Sequence, residues 1–205
     1  MYVLMINGSP KPNGCIGTAL NIIGGELAGE GIESEIVTVG NKDIRGCIAC
    51  LRCKQTGKCV FDDLVNETAP KLERADGLIL GTPVYFGSAN GGMVSFVDRL
   101  FYSTPFDKAM KLGASVISNR RGGSSATFDE MNKYFTISGM PVVSSTYWND
   151  VHGYTAEDVY KDEEGVQTLK NLAHNMAFLL KAVALAKEAC GLPKMVREVH
   201  TNMIR

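Results

Sequence analysis

Short apolar segments that end abruptly in loops rich in glycine, serine, threonine and proline recur along this chain. The first is YVLMIN, residues 2–7, which runs directly into GSPKPNG. A continuous apolar run of this length predicts a strand that is buried on both faces. A helix is expected to follow, because Leu20, Ile23 and Leu27 fall at helical spacing before Gly29. Buried strands that alternate with helices indicate an α/β fold with a parallel sheet.

The rest of the chain repeats this alternation. Further strands are predicted at residues 32–39, 78–80, 114–119 and 141–146, and the first of these has the alternating pattern of an edge strand. Helices are predicted at residues 62–74, at 93–101, over Thr127–Phe135 with a capping box of Thr127 and Glu130, and over Val166–Val183. The pattern predicts one domain over residues 1–205, with five parallel strands, helices on both faces and a long C-terminal helix.

Composition excludes several classes of function. The net charge is −1 and no run of Lys and Arg marks a basic patch, so nucleic acid is not an expected partner. No apolar run approaches the roughly 20 residues that span a bilayer, so a membrane is not expected either. The first ten residues lack the basic start and cleavage site of a signal peptide. We therefore expect a cytoplasmic protein whose cysteines are reduced.

The loop after the first strand has the residues of a phosphate site. In open parallel sheets the ligand lies beyond the carboxyl ends of the strands. Glycines let backbone N–H groups turn toward an anion, and a helix N-terminus adds positive charge. Neither GxxxxGK[ST] nor GxGxxG is present, so the phosphate of flavin mononucleotide (FMN) is the favoured ligand and a plain connecting loop is the alternative. The candidate residues are Ser9, Lys11, Asn13, Gly14, Thr18 and Ala19.

Two later loops carry aromatic and basic residues. The first offers flat, apolar side chains for a flavin ring in Pro83, Val84, Tyr85, Phe86 and Gly87. The second contains Asn119, Arg120, Arg121, Gly122 and Gly123. Its arginines can place positive charge near a flavin pyrimidine ring or bind the phosphate of a nicotinamide substrate. The alternative is that the aromatic residues pack in the core and the arginines are solvated. His152, beyond the fifth strand, is a further candidate for the substrate side.

Four of the six cysteines lie in one loop, residues 46–60, at Cys47, Cys50, Cys53 and Cys59. Zinc sites usually pair two C-x2-C units that are separated by a dozen or more residues. Bacterial iron–sulfur motifs share the spacing C-x2-C-x2-C but end in C-x3-C-P, whereas here the last gap is longer and Val60 replaces the proline. The spacing supports a [4Fe–4S] cluster and leaves zinc and metal-free reduced thiols as alternatives.

Three of these segments together resemble a known family. In this order, GSPKPNG, the four-cysteine segment ending in GKCVFDD, and TPVYFGS are similar to the NADPH-dependent FMN reductase family, and more closely to its iron–sulfur flavoprotein branch. The resemblance implies a flavodoxin-like three-layer sandwich with strand order 2-1-3-4-5. It also implies FMN phosphate on Ser9 to Thr18, the isoalloxazine ring against Pro83 to Gly87, the loop Arg120 to Gly123 beside it, and a [4Fe–4S] cluster on the four cysteines. Many members of the family read N-G-N-T where this chain reads NGCIGT.

The resemblance implies that the chain is an FMN-dependent NAD(P)H oxidoreductase. A reduced nicotinamide would pass hydride to flavin N5, and the flavin would then reduce an acceptor, either a small molecule such as a quinone, nitro compound or free flavin, or a protein. One alternative is an iron–sulfur flavoprotein that carries electrons between redox partners. Another is a nucleotide-binding regulatory module that binds phosphate without flavin. A homodimer or tetramer is expected from the same resemblance.

Overall fold

The computed structural model describes residues 1–196, 198–199, 201 and 203. Its centre is a parallel sheet in the order β2-β1-β3-β5-β6, which is the predicted order 2-1-3-4-5 when the parallel strands alone are counted. A two-residue strand, β4, pairs antiparallel with the end of β3. The strands are β1 (Tyr2–Asn7), β2 (Glu33–Thr38), β3 (Gly77–Tyr85), β4 (Ser88–Ala89), β5 (Leu112–Asn119) and β6 (Asp150–His152).

Helices cover both faces of the sheet, as predicted. They are α1 (Cys15–Gly29), α2 (Cys53–Thr56), α3 (Leu64–Arg74), α4 (Gly91–Ser103), α5 (Ser124–Ile137), α6 (Ala156–Val159) and α7 (Glu163–Cys190). Residues of α1 and α7 form one hydrophobic cluster on the sheet, and residues of α3, α4 and α5 form a second on the opposite face. None of the described helices combines the length and the apolar character needed to cross a bilayer.

The continuous apolar run of β1 follows from its central position. Val3 and Met5 belong to the cluster under α1 and α7, whereas Leu4 and Ile6 belong to the cluster on the other face. Successive side chains of a strand point to opposite faces, so both sets must be apolar. The alternating strand predicted at residues 32–39 corresponds to β2, which lies at the edge of the sheet.

Two predicted boundaries are wrong. The capping box of Thr127 and Glu130 does not form, because α5 begins at Ser124 and the Thr127 hydroxyl donates to Gly123 O within the helix. The fifth strand was predicted at residues 141–146. Within that segment Val142 makes an isolated bridge to Gly113, and regular pairing with β5 covers residues 150–152.

The displacement of the fifth strand has a polar cause. Ser145 Oγ lies 2.6 Å from Asn149 Oδ1 and 2.8 Å from Tyr147 O, and its single proton is shared between these two acceptors in a turn that leaves the sheet. At Asn149 the chain rejoins the sheet, because Asn149 Nδ2 donates to Ser115 O and the backbone carbonyl of Asn149 accepts from Ile117 N.

Candidate functional site

The loop after β1 is shaped by its own polar groups. Asn7 is fully buried at the end of the strand, where its Nδ2 donates to Pro12 O at 3.2 Å and its Oδ1 accepts from Ser9 N at 2.9 Å. Lys11 N donates to Ser9 Oγ at 3.2 Å, and Gly14 N donates to Lys11 O at 3.0 Å. The loop therefore holds a fixed shape ahead of α1 through bonds that need no ligand.

The N-terminus of α1 is left open at this loop. Its N-cap is Gly14, which has no side chain to cap the helix, and the first helical bond runs from Thr18 N to Gly14 O at 2.9 Å. The N–H groups of residues 15–17 thus have no partner inside the helix. A Cβ at Gly17 would lie 1.9 Å from Pro12 O, so only glycine fits there. An uncapped helix start at the carboxyl edge of a sheet suits an anion.

The aromatic residues of the second loop are exposed. Tyr85 is 46% exposed and Phe86 is 111% exposed, so the alternative that they pack in the core is wrong. Phe86 has a φ of 52° and Gly87 a φ of 85°. A left-handed backbone is unusual for a bulky side chain and is typical of ligand-binding turns. This turn presents two flat apolar side chains at the carboxyl edge of β3.

The second and third loops touch each other. Gly123 has a φ of 91°, and a Cβ there would lie 2.9 Å from Val84 Cγ1 and 3.0 Å from Gly87 Cα. Gly123 is also the N-cap of α5, which begins without a side-chain cap. By contrast, side chains cap the starts of three other helices, with Asp63 on α3, Asn90 on α4 and Asp162 on α7. Among the described helices of more than ten residues, α1 and α5 are the two that begin without a side-chain cap, and both begin at the predicted ligand loops.

Asn119 is the clearest sign of a ligand. It is the last residue of β5, it is 5% exposed, and its Oδ1 and Nδ2 are both buried without a hydrogen-bond partner among the described residues. An unpaired buried amide is costly. The side chain lies at the carboxyl edge of the sheet. Arg120 and Arg121 follow it directly in sequence, and both are exposed. A polar ligand at this edge would satisfy the amide.

The chain beyond β6 folds back over the start of α1. Cys15 Sγ donates to Thr155 O at 3.2 Å, and Lys11 Nζ lies 5.9 Å from the ring centroid of Tyr154. Burial raises the pKa of the Cys15 thiol above its ordinary value. Sequence reasoning did not identify Tyr154, because only the folded chain brings it within reach of the phosphate loop 140 residues earlier. Its one sequence signal is an aromatic residue two positions after the last strand.

His152 is held by a carboxylate. Its Nδ1 lies 3.1 Å from Asp162 Oδ2, and its backbone N–H donates to the same oxygen at 2.7 Å. Burial alone raises the pKa of the Asp162 carboxyl, but the hydrogen bonds from His152 and from Gly165 N outweigh it, and the pKa lies below its ordinary value. The ring of His152 is thereby oriented at the carboxyl edge, beside Asn119 in the strand register.

The cysteine loop forms a second site. All four predicted cysteines line one small, mostly apolar cavity of about 20 Å³, together with Ile48, Leu51, Val60, Phe61, Arg99, Tyr102 and Ser103. All six cysteines of the chain are free. In the part of the chain that the structure describes, no group of three or more His, Cys, Asp or Glu side chains is arranged to hold a metal ion as it stands. The donor set suits a cluster chemically, and the loop must draw its sulfur atoms together to bind one.

Arg99 organises this loop, and sequence reasoning missed it. Its guanidinium is 1% exposed and donates to Asp63 Oδ2 at 2.7 Å and Oδ1 at 2.9 Å. Two further bonds, from Nε at 3.3 Å and Nη2 at 3.2 Å, reach Cys59 Sγ. Burial alone lowers the pKa of Arg99, but the hydrogen bonds to Asp63 and Cys59 outweigh it and raise the pKa. The sequence signal is a charged residue on the apolar face of α4, three residues after Phe96.

The comparison of sequences decides the family. A model of the family described as NADPH-dependent FMN reductase matches residues 1–155. The chain belongs to this family. Two relatives of the chain are named iron–sulfur flavoproteins. One, MJ1083 from Methanocaldococcus jannaschii, is 35% identical over 89% of this chain and 99% of its own. The other, from Methanosarcina thermophila, is 32% identical over 89% of this chain and 97% of its own.

Solved structures confirm the flavodoxin-like fold. A flavodoxin from the domain Archaea superposes with a TM-score of 0.61 at 15% identity, covering 88% of this chain and 99% of that one. As a member of the FMN reductase family with this fold, the chain is an FMN-binding oxidoreductase. The open starts of α1 and α5, the exposed Tyr85–Gly87 turn and the unpaired Asn119 are the features of this structure that fit FMN.

The predicted residues thus fall into two groups. The three loops at the carboxyl edge bring together residues 9–19, 83–87 and 119–123, and the cysteine loop lies apart from them. The two sites share α4, which starts after the Tyr85–Gly87 turn and carries Arg99 about 12 Å further along its axis. A Cβ at Gly46 would lie 3.8 Å from Ser95 Oγ, so the cysteine loop begins against the same helix.

Proposed function

We propose that this chain is an FMN-dependent oxidoreductase that draws electrons from NADH or NADPH and passes them to an acceptor, and that its four-cysteine loop binds a [4Fe–4S] cluster. The observation that carries the FMN part is the unpaired Asn119 at the junction of three ligand loops. The cluster part is supported by the four cysteines that line one cavity and by the names of the relatives.

The FMN phosphate is proposed to lie on the loop after β1. There the open N–H groups of residues 15–17 and the side chains of Ser9, Asn13 and Thr18 offer donors, and Lys11 adds a positive charge. Gly14 has no side chain and allows the phosphate a close approach, whereas Ala19 is fully buried in the apolar cluster under α1 and α7 and is not proposed to contact it. Because the loop is already fixed by Asn7, little ordering is needed when FMN binds, which favours tight binding.

The flavin ring is proposed to lie between the second and third loops. Pro83 to Gly87 supply the apolar surface, and Asn119 supplies a donor and an acceptor for polar atoms of the ring. Arg120, Arg121, Gly122 and Gly123 border the ring, where positive charge favours the reduced flavin. When bound, FMN supplies two-electron chemistry with nicotinamides and one-electron chemistry with metal centres. The chain's own residues bind and orient it and exclude water from one side.

The proposed cluster ligands are Cys47, Cys50, Cys53 and Cys59. A [4Fe–4S] cluster supplies single-electron transfer and is held by four thiolates. The cavity is lined by the apolar side chains of Ile48, Leu51 and Val60, which are about half exposed and would limit access of water to such a cluster from one side only. We place the protein in the cytoplasm, where thiols stay reduced, and propose a homodimer or tetramer as its working form.

The test is the reduction of bound flavin by nicotinamides. Protein purified without oxygen is mixed with NADH or NADPH, and the flavin absorption is followed. We expect rapid bleaching by at least one nicotinamide and recovery on addition of a quinone. Flavin that is bleached by dithionite but by neither nicotinamide would contradict the nicotinamide assignment and favour the electron-carrier alternative.

A pair of variants tests the placement of the ring. Replacing Tyr85 by Ala removes an exposed aromatic side chain from the second loop, and FMN content is expected to fall. Replacing Phe178 by Ala removes another exposed aromatic side chain, from α7, and is expected to leave FMN content unchanged. Equal FMN content in both variants would contradict the proposed position of the ring.

A further inference from the structure

Arg99 is a charged residue in an apolar setting. The other buried side chains of α4 include Met93, Phe96, Val97 and Leu100, and together they pack under the sheet. Removing a guanidinium from water is costly unless its charge is paired and its donors are satisfied. An apolar residue at this position would avoid that cost, so the buried charge calls for a reason beyond packing.

Part of the reason is structural. Asp63 neutralises the charge with a bidentate pair, and Arg99 also donates to Arg45 O at 3.1 Å and to Phe61 O at 3.4 Å. Arg45 directly precedes the cysteine loop and Phe61 directly follows it. One side chain therefore ties together the two ends of the loop, residues 46–60.

These bonds do not account for the contacts with Cys59. Two different nitrogen atoms of Arg99, Nε and Nη2, both donate to the same sulfur. A neutral thiol is a weak acceptor, and a thiolate or a metal-bound sulfur is a much better one. The other three cysteines of the cavity have no such contact with a charged group among the described residues. The arrangement thus distinguishes Cys59 from Cys47, Cys50 and Cys53.

We propose that Arg99 is the positioning residue of the cysteine site. It holds the sulfur of Cys59 in place before a cluster binds, and it raises the reduction potential of the bound cluster through two hydrogen bonds and its positive charge. This inference rests on the proposed [4Fe–4S] cluster. Reduction adds negative charge to a cluster, and hydrogen bonds to its sulfur atoms together with nearby positive charge favour that state. Asp63 moderates the effect by neutralising part of the charge.

The experiment compares Arg99→Gln and Arg99→Lys with the unaltered protein. Each is reconstituted with Fe²⁺ and sulfide without oxygen, its iron and FMN contents are measured, and its cluster potential is determined by redox titration. We expect the Gln variant to be at least tenfold harder to reduce, which is a shift of about 59 mV toward negative potential. The Lys variant keeps the charge but loses one of the paired bonds, so an intermediate shift is expected.

Asp63→Asn is expected to shift the cluster potential in the opposite direction. Asn still caps α3, and it leaves the charge of Arg99 uncompensated, so the cluster potential is expected to rise. A purely structural Arg99 predicts no such change. If iron-loaded Arg99→Gln and Asp63→Asn both had the cluster potential of the unaltered protein, the proposed role of Arg99 would be overturned and the cluster assignment would stand.

Iron content separates the remaining outcomes. A Gln variant that folds and binds FMN but takes up less iron supports the positioning role. If Arg99→Gln fails to fold, the cluster potentials of Arg99→Lys and Asp63→Asn provide the test. Unaltered protein that binds FMN but takes up neither iron nor sulfide would overturn this inference and the cluster assignment together, while the proposed FMN oxidoreductase would remain.

Discussion

Ser88 Oγ lies 2.8 Å from Glu130 Oε2 and donates a hydrogen bond to it, joining the turn after β3 to the middle of α5. The same oxygen accepts from Ala89 N at 3.0 Å. One carboxylate thereby fixes the spacing between the exposed Tyr85–Gly87 turn and the helix that begins at Gly123. These are the two walls of the proposed site for the flavin ring.

Replacing Glu130 by Ala is expected to weaken FMN binding roughly tenfold, or by about 1.4 kcal/mol, because two hydrogen bonds to a charged group are lost from the support of the site. The dissociation constant is measured by titrating apoprotein into FMN and following the flavin fluorescence. Asp129→Ala removes an exposed carboxylate from the same helix and serves as the control. Equal affinities in the two variants would contradict the supporting role of Glu130.

Replacing Gly123 by Ala is expected to reduce both stability and FMN affinity. The left-handed backbone costs about 1–2 kcal/mol for an L-residue, and the added Cβ would push against Val84 and Gly87. Gly31→Ala is the matched control, since Gly31 has a φ of 75° and open space around it. It should lose stability by unfolding in urea but keep its FMN affinity. A Gly123 variant with normal FMN affinity would show that the two loops do not form the site.

Replacing Asn119 by Ala is expected to have opposite consequences for the apoprotein and for FMN binding. In the apoprotein the amide has no partner to lose and its burial is unfavourable, so its removal should raise the free energy of unfolding by about 1 kcal/mol. FMN affinity should fall tenfold or more, because the ligand loses its partner on β5. Thermal unfolding with and without FMN measures both effects. Strong destabilisation of the apoprotein, with FMN affinity preserved, is the result that would count against this role.

The Asp162 carboxylate should make the free energy of unfolding depend on pH in the acid range. Its pKa is lower in the folded protein than the roughly 3.9 of an unfolded chain, so it contributes stability above about pH 4 that is lost as pH falls through the folded pKa. The variant Asp162→Asn retains a helix cap but lacks this pH-dependent contribution to stability. Urea unfolding from pH 6 to pH 2 should show the two proteins converging at low pH. Glu163→Gln, at an exposed neighbouring position, is the control, and a pH-independent difference for Asp162→Asn would refute the assignment.

Most of the fold follows from local sequence patterns. The apolar run of β1, the alternation of β2 and the helical spacing at Leu20, Ile23 and Leu27 each report the side of the chain that is buried, and burial determines the layer. The three loops of the candidate site were predictable for the same reason, since the carboxyl ends of parallel strands meet at one edge. Strand order came from the family resemblance, because residue patterns do not specify which strands are neighbours.

Long-range polar contacts account for what was missed. The fifth strand is displaced by hydrogen bonds of Ser145 and Asn149, and the predicted capping role of Glu130 is replaced by its bonds to Ser88 and Ala89. Arg99 and Cys59 are 40 residues apart, so no local pattern predicts that they meet. Each of these interactions depends on the folded chain, and a propensity or a motif cannot encode it.

We propose that one chain binds FMN at the carboxyl edge of the sheet and a cluster at the four cysteines, as two separate sites. The direct measurement is the FMN, iron and sulfide content of protein purified without oxygen, for the unaltered chain and for Cys50→Ser, with Cys190→Ser at the exposed end of α7 as the control. We predict one FMN and about four irons per chain, with Cys50→Ser losing iron but keeping FMN. Loss of FMN together with iron in Cys50→Ser would contradict two separate sites, and FMN without iron in the unaltered chain would contradict the cluster.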